Sequence, residues 1–193
     1  MFDPTFLIIG IPVILLTITI HEYSHAKVAD ILGDPTPRLS GRLSLNPISH
    51  IDPIGFLMLM IVRFGWAKPV PINPNHFKNP KRDMVYVSLA GPLSNFFFAW
   101  ILAIILKNTP ISFGGILQYA IWLNLGLAVF NLIPIPPLDG SKILEGILPD
   151  QYYEYFRAID QYGFFILILV ILFPGTSELL MSTVQFMYTL LML

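Results

Sequence analysis

Residues 4–20, PTFLIIGIPVILLTITI, contain no charged side chain and lead directly into HEYSH, His21 to His25. Inside lipid a backbone must satisfy its own hydrogen bonds, and for a single run of chain the regular solution is an α-helix. About 20 apolar residues cross a bilayer. The run predicts a membrane-spanning helix over residues 5–32, with a kink expected at Pro12 and an end at Gly33 and Pro35. An acid between two imidazoles is costly in such a segment, which marks it as functional. On a helix, residues four apart share a face, so His21 and His25 can hold one metal ion together, with Glu22 beside that face.

The rest of the chain repeats the pattern. Of 193 residues, 55% are hydrophobic and only 12% charged, against about 25% charged in a soluble domain. Further apolar runs lie at residues 53–66, 84–106, 112–133, 158–173 and 177–193. The run at 53–66 is short and contains Arg63, so a re-entrant or interfacial element is expected there. The expected fold class is an all-α polytopic membrane protein: about five spanning helices plus one re-entrant or short membrane segment, with short strand-like elements near the active site. No soluble domain fits between the runs, so residues 1–193 are expected to form one intramembrane domain. MFDPTF has no basic n-region and no small-residue cleavage site follows, which favours a retained helix over a signal peptide. No basic tract suggests nucleic acid. With no cysteine, any zinc must be held by histidine and carboxylate.

Charge gives an orientation. Eight basic residues, Lys27, Arg38, Arg42, Arg63, Lys68, Lys78, Lys81 and Arg82, lie between the first run and the third. Lys142 and Arg157 follow the fourth, and only Lys107 lies between the third and fourth. If 53–66 dips in and returns, ten of the eleven basic residues share one side, which the positive-inside rule makes the cytoplasm. HEYSH then lies toward the cytoplasmic end of the first helix, in what is expected to be the plasma membrane. The stretch Asn131–Gly140 arrives at the same depth.

Catalytic zinc takes three protein ligands and leaves one position open. HEYSH offers two. Asp139, in the proline-broken PIPPLDG, is the best third, because Pro134, Pro136 and Pro137 prevent regular helix there and Gly140 permits an unusual backbone angle. Asp-Gly is also ordinary turn chemistry, and it is the coincidence with HEYSH that points to a ligand. The ion would supply an acidic water; Glu22 would accept its proton and pass it to a leaving amine. Asn131 could donate a hydrogen bond to an oxyanion or to the substrate backbone. The competing readings are a metal-ion transporter or channel using the same His/Asp cluster, and a binding protein without chemistry. A transporter usually shows repeats; none is visible, and an ion relay gives Glu22 no task.

HEYSH, AGPLSN at 90–95 and NLIPIPPLDG at 131–140 resemble the site-2 proteases, the intramembrane zinc metalloproteases. GRLSLNPISHIDPIG at 41–55 and GWAKPVPINP at 65–74 resemble the compact branch of that family, which lacks an inserted PDZ domain. The resemblance implies zinc bound by His21, His25 and Asp139, Glu22 as catalytic acid and base, and Asn131 near the metal. It implies a transmembrane-helix protein as substrate, the lipid bilayer as surroundings, and an active site within the membrane toward the cytosol. Other residues carry alternatives. Asn95 could contact the metal site or the substrate, brought close by a break at Gly91 and Pro92, or could serve packing through Ala90, Gly91 and Ser94. His50 could reach the site or tie down a turn beside Asp52, and the structural role is the expected one. His76 is expected at the surface. The prolines of residues 65–75 suggest an extended edge or gate that could hold an unfolded substrate segment.

Overall fold

In the computed structural model, residues 4–63, 65–108 and 114–193 are described, and the described elements are helical throughout. The first helix begins with one π-helical turn, Phe6–Gly10, and continues as α1 (Ile11–Ile31). Pro12 stands just after the wide turn. Proline has no N–H to give and its ring crowds the turn before it, and a π turn relieves that crowding. The expected kink therefore takes the form of one widened turn. Together the two pieces make a continuous 26-residue helix, Phe6–Ile31, long and apolar enough to cross a membrane.

After a short helix α2 (Thr36–Leu39) comes α3 (Pro53–Val62), ten residues long. Asp52 caps it, its carboxylate accepting from the Gly55 N–H at 2.8 Å, with Pro53 at the first position. Ile51 pairs with Ala67 in an isolated antiparallel bridge, and the Lys68 N–H donates to the His50 carbonyl at 2.9 Å. The two ends of the segment therefore meet, so the chain goes out and comes back. Two glycines allow it: a Cβ on Gly55 would lie 2.2 Å from the Trp66 carbonyl oxygen, and one on Gly65 would lie 2.3 Å from the Gly55 oxygen. The far tip, Arg63, lies over the Phe6 ring at 3.7 Å. This corrects the charge count. Arg63 belongs with the N-terminal end of the first helix, so nine rather than ten of the eleven basic residues stand on segments joined to the HEYSH end.

Helix α4 (Pro80–Lys107) is the second clear candidate span. It runs through Gly91 and Pro92 without interruption, so the break expected there is absent. Helix α5 (Gly114–Asn131) packs along α4, and α6 (Asp139–Ile147) returns to α4 as well. Then come α7 (Tyr153–Asp160), α8 (Gly163–Leu172) and α9 (Pro174–Met192). A helix of ten residues is about 15 Å long, too short to cross alone. α8 and α9, bent by 82° at Pro174, make at most one further span. Two spans are clear and a third is possible; the count of about five is not reached by length and composition. Among the described residues the expected strand-like elements reduce to the one bridge at Ile51 and Ala67.

Small residues let the helices approach. Ala99, Leu102 and Ala103 of α4 meet Ala120, Ile121 and Leu125 of α5 and Val184 of α9 in the main apolar cluster. Outside it, Ile8, Leu169, Leu172 and Leu179 are largely exposed, as lipid-facing side chains must be.

At the other end of α1, Asp34 organises the loops. It is fully buried. Oδ1 accepts from the Thr36 N–H at 3.0 Å and hydroxyl at 2.5 Å and from His76 Nδ1 at 2.8 Å, while Oδ2 accepts from the Asn73 N–H at 2.7 Å. His76 is exposed, as expected, and is also half of a clamp. Burial pushes the Asp34 pKa up, but the bonds from Thr36, Asn73 and His76 outweigh it and hold it below the ordinary aspartate value. A folded-state pKa below the unfolded one means the contribution is whole above the ordinary value and fades as pH falls through the folded one. Asp34→Ala, which orphans two buried N–H groups, is expected to cost about 2–3 kcal/mol. Thermal unfolding in detergent should show the parent losing more stability than the variant on acidification through that window.

Candidate metal centre

The face of α1 that carries His21 and His25 lies against α4 at Gly91. A Cβ there would sit 2.3 Å from His25 Nε2 and 2.6 Å from His21 Cε1. The glycine thus supplies the room in which the two rings stand, edge to face, with centroids 4.6 Å apart. Both histidines are buried.

Counting donors settles their protons. His25 Nδ1 is 2.7 Å from the Val87 carbonyl, which can only accept, so that nitrogen carries hydrogen. His21 Nδ1 is 2.6 Å from Asn95 Oδ1. Asn95 Nδ2 faces the Thr17 carbonyl at 3.2 Å, which fixes the amide and leaves its oxygen to accept from His21. In the neutral rings both Nε2 atoms are therefore lone pairs.

Asp139 completes the group. It opens α6, and the PIPP turn before it folds back on itself: a Cβ on Gly140 would lie 2.3 Å from the Leu132 oxygen and 2.4 Å from the Ile133 oxygen. Gly140 is helical; close approach, rather than the unusual angle expected for it, explains the glycine. Asp139 Oδ2 stands 3.2 Å from His21 Nε2 and 3.3 Å from His25 Nε2, and those two nitrogens are 3.0 Å apart. That oxygen is buried without a hydrogen-bond partner. Three lone pairs converge with no proton assigned between them, an arrangement that a cation relieves. Tetrahedral zinc at about 2.0–2.1 Å from each ligand holds its ligands about 3.3–3.4 Å apart. The donor set fits zinc.

Other residues arrange themselves around this triangle. Glu22 Oε2 accepts from the Val70 N–H at 3.2 Å, so the proline-rich return segment borders the acid. Asn131 closes α5 with Nδ2 donating to the Leu127 carbonyl at 3.0 Å; among the described residues no hydrogen bond joins it to the triangle. His50 is buried, its Nε2 bonded to the Ser44 carbonyl at 2.7 Å, which is the loop-tying role. Asn95 touches a metal-facing histidine directly, although α4 is unbroken. Arg42 was missed by sequence reasoning. It is buried, bonds the Lys68 carbonyl through Nη2, and keeps Nε and Nη1 unpaired. Burial pushes its pKa down and the Glu22 charge opposes that. Its place after a glycine in GRLSLNP offered no signal beyond a loop cation.

The comparisons with known proteins agree with the chemistry. The model of the family described as Peptidase family M50 matches residues 107–172, a stretch that contains Asn131 and Asp139 but not HEYSH. The Bacillus subtilis protein YwhC, whose name describes a zinc metalloprotease, is 38% identical over 178 residues, covering 86% of this chain and 81% of that one. Rip2 of Mycolicibacterium smegmatis, with a name of the same kind, is 28% identical over 85% of this chain and 66% of its own. The zinc metalloprotease MJ0392 of Methanocaldococcus jannaschii is 28% identical over 72% of this chain and 34% of its own. No solved structure matches.

Gly91→Ala tests the geometry. Alanine favours helix over glycine by about 1 kcal/mol, which offsets part of the roughly 1–3 kcal/mol cost of crowding the rings, so the fold should survive. The added methyl enters the ring space, and zinc retained after purification, by elemental analysis, is expected to fall to below about a tenth of the parent's.

Proposed function

Since the chain belongs to peptidase family M50 and is a membrane-embedded zinc metalloendopeptidase, we propose that it hydrolyses a peptide bond within or beside a transmembrane helix of another protein. The observation that carries this is the depth of the donor triangle. His21 lies about 22 Å along the first helix from Phe6 and about 15 Å from Ile31, by rise per residue. A scissile bond must come to the same depth to be cut.

The roles follow from position. His21, His25 and Asp139 hold the ion, which when bound supplies a Lewis acid and a water acidic enough to attack near neutral pH. Glu22, next in chain to the first ligand, accepts the proton of the attacking water and returns it to the leaving amine as the C–N bond breaks. Asn131 serves as an amide donor to the substrate once its side chain leaves the Leu127 carbonyl. Nine of the eleven basic residues stand on segments at the HEYSH end, which favours a plasma-membrane protein with its site toward the cytoplasm. Residues 1–193 act as one domain in this reading.

A helix hides its carbonyls, so a substrate must unwind before cleavage. The segment at residues 65–75, which runs without regular structure to a 3-10 turn at Pro74–His76, is the proposed edge or gate for the unwound strand. Its Val70 N–H already lies against Glu22.

Reconstituted with a single-span substrate, the parent should cleave, chelator should abolish cleavage and added zinc restore it. Glu22→Gln should lose about 10²–10⁴-fold in rate while retaining zinc. Metal flux that survives Glu22→Gln, without cleavage, would replace the protease reading with a transporter. Val70→Pro should impair cleavage at unchanged zinc content; full activity in that variant removes the gate.

A further inference from the structure

Thr17, Asn95 and Asn124 lie on α1, α4 and α5, and all three are buried, with 1%, 0% and 0% of their surface exposed. Thr17 is one turn before His21. A polar cluster on three helices within an apolar bundle is costly unless its groups are satisfied, and here they satisfy one another. Asn124 Nδ2 donates to the Thr17 hydroxyl at 3.0 Å and to the Ala120 carbonyl at 2.8 Å. Its oxygen is thereby turned to Asn95, accepting from Nδ2 at 2.9 Å. The other Asn95 N–H goes to the Thr17 carbonyl at 3.2 Å. Both donors of Asn95 are used, and its oxygen can face only His21 Nδ1, 2.6 Å away.

The geometry points to Thr17 and Asn124 as positioning residues of the metal centre. Through the Asn95 amide they determine which nitrogen of His21 carries the proton. If the Asn95 amide turned over, it would present N–H to His21 Nδ1. That nitrogen would then accept, and the ring proton would move to Nε2, the atom facing Asp139 and His25. The metal-facing lone pair would be lost. Asn124 prevents the turn by offering Asn95 an acceptor; the Ala120 carbonyl, which can only accept, prevents Asn124 from turning in its place, and the Thr17 hydroxyl takes the second Asn124 N–H and so holds the amide in position. Outer partners of this kind fix ring tautomer and orientation in metal sites generally. Here the device is uncharged, as its setting between three apolar helices requires. His25 gets the same result from one backbone carbonyl, so the network serves His21 specifically.

The inference rests on His21 being a zinc ligand. The measurement is zinc affinity of the purified protein in detergent, by competition with a chromophoric chelator, beside thermal unfolding of the chelated protein. Asn124→Leu, of similar size, is expected to weaken zinc binding by about 10–100-fold. Thr17→Val should weaken it less, and Thr17→Ser, which keeps the hydroxyl, should restore it. His21→Ala separates the two levels. If it keeps parental affinity, the ligand assignment fails. If it loses zinc while folded Asn124→Leu and Thr17→Val bind as the parent does, the positioning inference alone fails. Reduced unfolding temperature with unchanged affinity also overturns it, since that is mere packing. Should Asn124→Leu not fold, the threonine pair decides.

Discussion

The close approach of α4 to the first helix at Gly91 is the contact on which the site depends. Any side chain at that position would occupy the space of both imidazoles. Because it is glycine, α4 can lie near enough for the Val87 carbonyl to accept a hydrogen bond from His25 Nδ1 and for Asn95 Oδ1 to accept one from His21 Nδ1. One helix therefore supplies room, orientation and tautomer to two imidazoles carried by another. Pro92 is accommodated without breaking the helix.

The second requirement is that Asp139 reach the same point from a distant part of the chain. PIPPLDG cannot continue α5, and the tight turn onto Gly140 brings the aspartate into the first turn of α6. Helix α6 is held against α4, so α4 forms the common wall for both halves of the donor set. Gly146 allows that contact, since a Cβ there would lie 2.2 Å from Val85 Cγ2. The loops around Glu22 are fixed separately, by Asp34 at one side and by Arg42 on the Lys68 carbonyl at the other. Rigid helices hold the metal-facing atoms, whereas the acid faces an extended segment tied down at a few points. That division would suit the proposed role, in which a large substrate is admitted without loosening an ion.

Much of this was legible in the chain because strong local rules act on it. HEYSH on an uncharged run specified a helix with two donors on one face, and a run of prolines before Asp-Gly specified a halt in the helix. The out-and-back course of residues 53–66 agrees with a run too short to span. Other readings depended on where segments come to lie. Arg63 was assigned to the wrong end because periodicity does not say that α3 runs back along α1 to Phe6. His76 is exposed, as expected, but its bond to the buried Asp34 could not be read because that partner is 42 residues away. Gly91 and Pro92 resembled a break because both are poor helix formers, yet packing on two neighbours overrides that preference. The count of about five crossings is not reached by length and composition, because α5 is not among the candidate spans and α8 and α9, parted at Pro174, make at most one.

The sequence by itself determined the chemical inventory: two imidazoles a helical turn apart, an acid beside them, a carboxylate in a proline-broken turn, and lipid as the solvent. Those follow from composition and from the fixed repeat of the α-helix, which depend only on neighbours along the chain. The tertiary structure alone decided which nitrogen of each ring faces the centre, that Asn95 belongs to His21, and that Thr17 and Asn124 stand behind it. Hydrogen bonds among α1, α4 and α5 join residues up to 107 positions apart. Only the packing of the three helices brings such groups within reach, and no local rule of the chain encodes it.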